Sequence, residues 1–227
     1  MSSYNFVFPI QNGDNYKDKV MKFTQSDTQA ILELLRWRRD VRHFKCDPLP
    51  EEAIQQMMQS IALAPSVGNS RPWRIVRVKS DVLKNKIIEN HGMANQEASQ
   101  KYSDATKGKY QALKLAGLQE APLQLAVFTD TDPSAGKGLG RQTMPETLTY
   151  STVIAIHQLW LVARTLNIGV GWVSILNAEA LNKTLEVDPN WKLTAYLCIG
   201  YPEYNDDTPE LVRTGWQQNT EKQWLER

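Results

Sequence analysis

Between Thr149 and Asn167 the chain is apolar on nearly every side, through Val153, Ile154, Ile156, Leu159, Trp160, Leu161, Val162 and Leu166. A helix without a polar face cannot lie on the surface of a soluble domain. The stretch therefore predicts a helix at the centre of the fold or at a subunit interface. Its most apolar run, Val153 to Ala163, is interrupted by His157 and Gln158. That run is too short for a bilayer, which needs about 20 apolar residues. His157, alone on such a helix, is expected to be a satisfied core residue rather than a ligand.

The remaining elements must wrap this helix. Ser26-Asp27-Thr28-Gln29 fits a capping box. The helix it opens has one apolar face, Ile31, Leu34 and Leu35, and should end near Arg39 or Asp40. Pro48 and Pro50 introduce a second helix with Glu51 and Glu52 in its first turn, as helix starts prefer. Ile54, Met57, Met58 and Ile61 are its buried face, and Pro65 stops it. Trp73 to Val78 reads as a strand. Ser80 should cap a short helix through Ile88, ended by Gly92. From Met93 to Gln119 the chain is polar and only weakly periodic, which fits either a lid or a solvated helix pair.

Leu123 to Thr129 and Leu193 to Ile199 read as buried strands, and Ala178 to Leu185 as a helix. Ile168 to Ile175 is a strand entered through Gly169 and Gly171, which would let another backbone or a flat ring approach closely. Gly136-Lys137-Gly138-Leu139-Gly140-Arg141 is not a P-loop, because no Ser or Thr follows Lys137. Residues 1–25 read as an arm lying on the surface or on a partner. Residues 201–227 read as a C-terminal extension whose Trp216 and Trp224 should cover something, plausibly a second subunit. Helices outweigh strands without strict alternation. The expectation is one α+β domain over 1–227, a mainly antiparallel central sheet wrapped by helices.

Chemistry concentrates between Arg36 and Trp73. Arg36, Arg38, Arg39 and Arg42 surround Asp40, and a helix later comes the small-residue loop Ala64-Pro65-Ser66-Val67-Gly68-Asn69-Ser70. Guanidinium groups hold phosphates in bidentate fashion, and small residues let backbone N–H groups approach a ligand. The two segments read as walls of an anionic-cofactor site. A solvated basic helix end followed by an ordinary turn is the alternative. Net charge is only +1, so the cluster is local, and a nucleic-acid footprint is not expected. The two cysteines, Cys46 and Cys198, have no metal spacing, and no metal is expected. With no basic-then-apolar leader at Met1 to Asn15, the expectation is a cytoplasmic protein without a membrane segment.

The segments R-R-D-V-R-H-F, D-P-L-P, A-P-S-V-G-N-S-R-P-W-R, L-K-L-A-G-L-Q-E-A-P, L-G-R-Q-T, G-V-G-W-V-S-I-L, A-Y-L-C-I-G-Y-P and P-E-L-V-R-T-G-W also carry a resemblance. In their order and spacing, across roughly Ala30 to Trp216, they resemble the nitroreductase-like flavoproteins and, within them, the 5,6-dimethylbenzimidazole synthases. Arg71 replaces a usual glutamine, and Ala116 stands where glutamate is common. The resemblance implies a nitroreductase-like fold in an intertwined homodimer, with reduced FMN as substrate and dioxygen as co-substrate. A separate flavin reductase is a candidate supplier. By the same resemblance, Arg38, Arg39, Asp40, Val41, Arg42, Ser66, Asn69, Leu115 and Ser174 would line the FMN site, and Asp40 and Ser174 would act in catalysis. It also implies a lid over 93–119. An FMN-dependent nitroreductase or NAD(P)H oxidoreductase is the alternative on the same fold, and a flavin carrier without turnover is a third possibility.

Overall fold

A computed structural model describes residues 22–220 and 224–226. The expected N-terminal arm lies outside the described residues up to residue 21. Helix α1 spans Gln25–Trp37, α2 Glu51–Ala62, α3 Asp81–Ser99, α4 Asp104–Gln111, α5 Thr147–Thr165, α6 Ala178–Thr184 and α7 Glu210–Arg213. Strands β1 (Trp73–Arg77), β2 (Leu123–Asp130), β3 (Gly169–Val173) and β4 (Trp191–Gly200) form one sheet in the order β1-β2-β4-β3. Every neighbouring pair in it is antiparallel. Among the described residues no helix is long and apolar enough to cross a membrane.

The sheet is buried on both faces. One face packs with α2 and α5 around Met57, Leu125, Leu159, Leu197 and Ile199. The other packs under Phe44, Ile87, Phe128, Leu181 and Tyr196. Strand β2 is buried along nearly its whole length, which is why it reads as a continuous apolar run and not as an alternation. Helix α5 is central as expected, burying Leu148, Ala155, Ile156, Leu159, Trp160 and Ala163. Its other side leaves Tyr150, Val153 and Ile154 exposed. His157 is exposed as well, so it is not the core residue expected. It follows Val153 by four residues and Ile154 by three, on the same exposed face of α5.

Several boundaries depart from the sequence pattern. The capping box of α1 is Thr24 with Asp27, two residues earlier than expected, because an aspartate at N3 reaches the N-cap amide as a glutamate would. Helix α1 ends at Trp37, so Arg39 and Asp40 lie in extended chain beyond it. None of its residues is buried, and Ile31, Leu32 and Leu35 are exposed. Helix α3 runs through Gly92 to Ser99. A single glycine inside a helix costs about 1 kcal/mol relative to alanine, and α3 continues through it for seven more residues.

Candidate active site

After α1 the chain extends across β3. Asp40 forms a parallel bridge with Val170, Val41 N–H donates to Val170 O at 3.1 Å, and Phe44 bridges Pro202. This crossing explains the glycines of β3. A Cβ on Gly171 would collide with the Val41 carbonyl, and one on Gly169 would lie 2.7 Å from Val41 Cγ2. At Gly171 the close neighbour is backbone, the first of the two options open from sequence, and at Gly169 it is the Val41 side chain.

The crossing fixes Asp40. Its Oδ1 accepts the Trp172 N–H at 2.9 Å, and its Oδ2 pairs with Arg42 Nη2. Burial pushes the Asp40 carboxyl above the usual aspartate range, although Arg42, the Trp172 amide and Arg38 pull the other way. Arg42 also donates through Nη1 to the Leu115 carbonyl, so one guanidinium joins Asp40 to the end of the 93–119 segment. Gly117 lies directly against Phe44 and the Arg42 carbonyl, where a side chain would not fit.

The arginines divide their work. Arg39 donates Nε and Nη2 to the Asp207 carbonyl at 2.8 and 2.5 Å, and Nη1 to the Arg38 carbonyl at 2.7 Å. Arg36 pairs with the Asp207 carboxylate at 2.6 Å. These two clasp the C-terminal extension. The Arg38 guanidinium lies 4.9 Å from the Trp160 ring centroid and makes no hydrogen bond or ion pair among the described residues. Burial, followed by the charge of Arg39, lowers its pKa. A half-buried cation under that pressure is a natural partner for an anion.

Arg38, Arg39, Asp40, Val41 and Arg42 line one cavity. Arg164 and Arg213 join them there, two cations that sequence reasoning did not assign. Arg213 stacks over Tyr204 at 5.2 Å and pairs with Asp206 at 3.2 Å. Its signal was present in P-E-L-V-R-T-G-W. Arg164, in the last turn of α5, had none. His43 closes the rim with a 3.1 Å contact to Glu210.

The other expected site residues lie apart from this cavity. Ser66 and Asn69 flank the turn Val67–Asn69, which packs on the turn Ala135–Gly138. Ser66 Oγ accepts the Arg71 N–H at 3.0 Å, and the Val67 N–H donates to Ser151 Oγ at 3.0 Å. Asn69 and Arg71 take positive φ there. The Gly-Lys-Gly loop therefore buttresses Gly68: a Cβ on Gly136 would lie 2.7 Å from the Gly68 carbonyl. Ser151 and Trp160 are nine residues apart on α5, about 14 Å of helix. Ser174 leaves the end of β3 two residues beyond Trp172, exposed beside α3.

The C-terminal extension places its two tryptophans differently. Trp216 packs within its own chain, with ring centroids 5.7 Å from Tyr102 and 6.3 Å from Tyr110. It covers the turn between α3 and α4, where two tyrosine rings would otherwise face water. Trp224 is 95% exposed.

The model of the nitroreductase family matches residues 35–201, from the end of α1 through β4. The chain belongs to the nitroreductase family. Among its members, 5,6-dimethylbenzimidazole synthase of Rhodobacter capsulatus is 49% identical over 207 residues, covering 91% of this chain and all of the relative. The enzyme of the same name from Rhodospirillum rubrum is 48% identical over 195 residues, covering 86% and 92%. By fold, oxidized iodotyrosine deiodinase bound to FMN and 3-iodo-L-tyrosine superposes with a TM-score of 0.67 at 21% identity, covering 87% of this chain and 97% of the other. A BluB-like flavoprotein from Clostridium difficile 630 gives 0.63 at 24%, covering 79% and 93%. The α+β fold of this chain is thus the nitroreductase fold.

Proposed function

We propose that this nitroreductase-family protein is a 5,6-dimethylbenzimidazole synthase that fragments reduced FMN with dioxygen, in the service of cobalamin assembly. The observation that carries the reading is Asp40, a carboxyl pinned to the Trp172 amide in an arginine-lined cavity. It sits in a chain 49% identical across 91% of its length to an enzyme of that name.

The residues present fit FMN. Arg38 lacks a counter-charge among the described residues, and Arg42 and Arg213 stand beside it, so a phosphate would satisfy the cavity. The bound flavin supplies the reduced ring that is consumed. Asp40 acts as the proton-transfer group: the Trp172 amide and Arg42 fix its carboxyl, and burial shifts that carboxyl toward its protonated form. Arg42 orients it and ties it to Leu115. The Ser174 hydroxyl, at the open end of β3, orients the reacting oxygen or relays a proton. Residues 93–119 act as the lid that keeps water out during turnover.

Ser66 and Asn69 enter the site from a second copy of the chain. They lie at the other end of α5 from Arg38, and the face between carries exposed Tyr150, Val153 and Ile154. Helix α1 adds Ile31, Leu32 and Leu35, an apolar surface of the kind obligate dimers bury. The working form is therefore a homodimer with FMN between subunits. Its setting is the cytoplasm, consistent with two free cysteines, where a separate flavin reductase supplies the substrate.

Reduced FMN mixed with the protein in air is expected to yield dimethylbenzimidazole by mass spectrometry, with loss of flavin. Intact, reoxidised FMN together with NAD(P)H consumption would instead establish the nitroreductase reading. Tight binding with neither chemistry would establish a carrier.

A further inference from the structure

The turn that carries Ser174 is held by side chains of α3. Asn90 forms a reciprocal pair with the backbone of Asn177: its Nδ2 donates to the Asn177 carbonyl at 3.0 Å, and its Oδ1 accepts the Asn177 N–H at 2.8 Å. The next residue, His91, donates Nδ1–H to the Ile175 carbonyl at 2.9 Å. Asn177 is also the N-cap of α6, where its Oδ1 accepts the Ala180 N–H at 3.0 Å. The segment 174–177 has no strand partner, since β3 ends at Val173. Three side-chain hydrogen bonds from two successive residues replace the ladder that stops there.

We propose that Asn90 and His91 are positioning residues for Ser174. They clamp its turn to the stem of the 93–119 segment, so that the hydroxyl and the lid keep one geometry. The physical case is specific. An amide side chain presents a donor and an acceptor at the spacing of a peptide edge, so Asn90 acts as a one-residue strand. A serine at the open end of a strand would otherwise sample many orientations. Misplacement of about 1 Å is enough to cost about 10²-fold in rate. Helix α3 is anchored to the sheet's core by Ile87, with Leu83 and Ile88 packed beside it. The clamp ties the 174–177 turn to that anchored stretch. The proposal rests on the reading that Ser174 works at the flavin.

The test combines Asn90→Ala, Ser174→Ala and the double variant, with two readouts on the full-length protein. The first is hydrogen exchange of the peptide containing 174–177. Asn90→Ala is expected to speed exchange at the Asn177 N–H by at least about tenfold, with β2 and β4 unchanged. The second is steady-state formation of dimethylbenzimidazole from reduced FMN. Asn90→Ala is expected to lower kcat by roughly 10- to 10²-fold while KM moves less than about threefold. The double variant should be no slower than Ser174→Ala alone.

Should Asn90→Ala fail to fold, Asn90→Asp keeps the acceptor and loses the donor. It is expected to retain protection of the Asn177 N–H and lose part of kcat. Losses that multiply in the double variant, or unchanged exchange, would overturn the clamp. If the wild-type protein makes no dimethylbenzimidazole, the proposed activity fails rather than the clamp, and exchange alone then decides.

Discussion

The crossing of Arg38–Phe44 over β3 and the α3–α4 segment both border the candidate site, and they are built in opposite ways. The crossing is held by backbone: a bridge at Val170, a second at Pro202, and glycines at 169 and 171 whose missing side chains make room for it. The α3–α4 segment is held by side chains at separated points. Tyr110 Oη donates to Asn95 Oδ1 at 2.6 Å, and Trp216 leans on Tyr102 and Tyr110. Backbone contacts leave little room for adjustment and suit a carboxyl that must not move. Side-chain contacts break one by one and suit an element that opens.

The comparison is broken most directly at Gly171. Gly171→Val drives a side chain into the Val41 carbonyl, where only backbone could yield. A loss of at least about 3 kcal/mol is expected, read as a fall in the urea midpoint. A midpoint near wild type would show that the crossing is as adaptable as the α3–α4 segment.

Asp40→Asn sharpens it next. Shape is kept and the carboxyl removed, so FMN binding should persist while dimethylbenzimidazole formation falls at least ~10²-fold. Formation at near wild-type rate would leave Asp40 as no more than an organiser of the arginines.

Trp216→Ala should act on the other region alone. Aromatic pairs are worth about 0.5–1.5 kcal/mol each, so the sheet's unfolding midpoint should barely move. Exchange in α4 should quicken, and more of the flavin should be reoxidised without fragmentation. Unchanged exchange in α4 would detach the tail from the α3–α4 segment.

The smallest effect concerns pH. Burial raises the Asp40 carboxyl in the folded state above its unfolded value. The fold therefore favours the protonated form, and that contribution, full below the ordinary carboxylate range, is lost as pH rises through the folded value. Asp40→Asn, which never charges, should be no less stable than wild type at neutral pH despite the lost ion pair with Arg42. The difference should close below about pH 4. Thermal melts across that window check the sign.

Much of the frame was legible without coordinates, because it rests on local pattern. The Pro50 start and the Ile54, Met57, Ile61 spacing define α2. The apolar runs at Leu123 and Leu193 mark β2 and β4, and the over-apolar stretch at Thr149 marks the central helix. The arginine cluster and Asp40 were legible as chemistry, and their resemblance to the synthases was legible as motif order. Division of labour within the cluster was not. Nothing local distinguishes Arg39, spent on the Asp207 carbonyl, from Arg38, which faces Trp160. Hydrogen-bond partners more than a hundred residues away are a property of the folded chain. The same holds for Trp216, which finds two tyrosines of its own chain. Periodicity and composition determined which segments are helix, strand or site candidate. Only tertiary structure decided which side chains meet, since long-range contact depends on how the elements cross, and no single segment encodes the crossing.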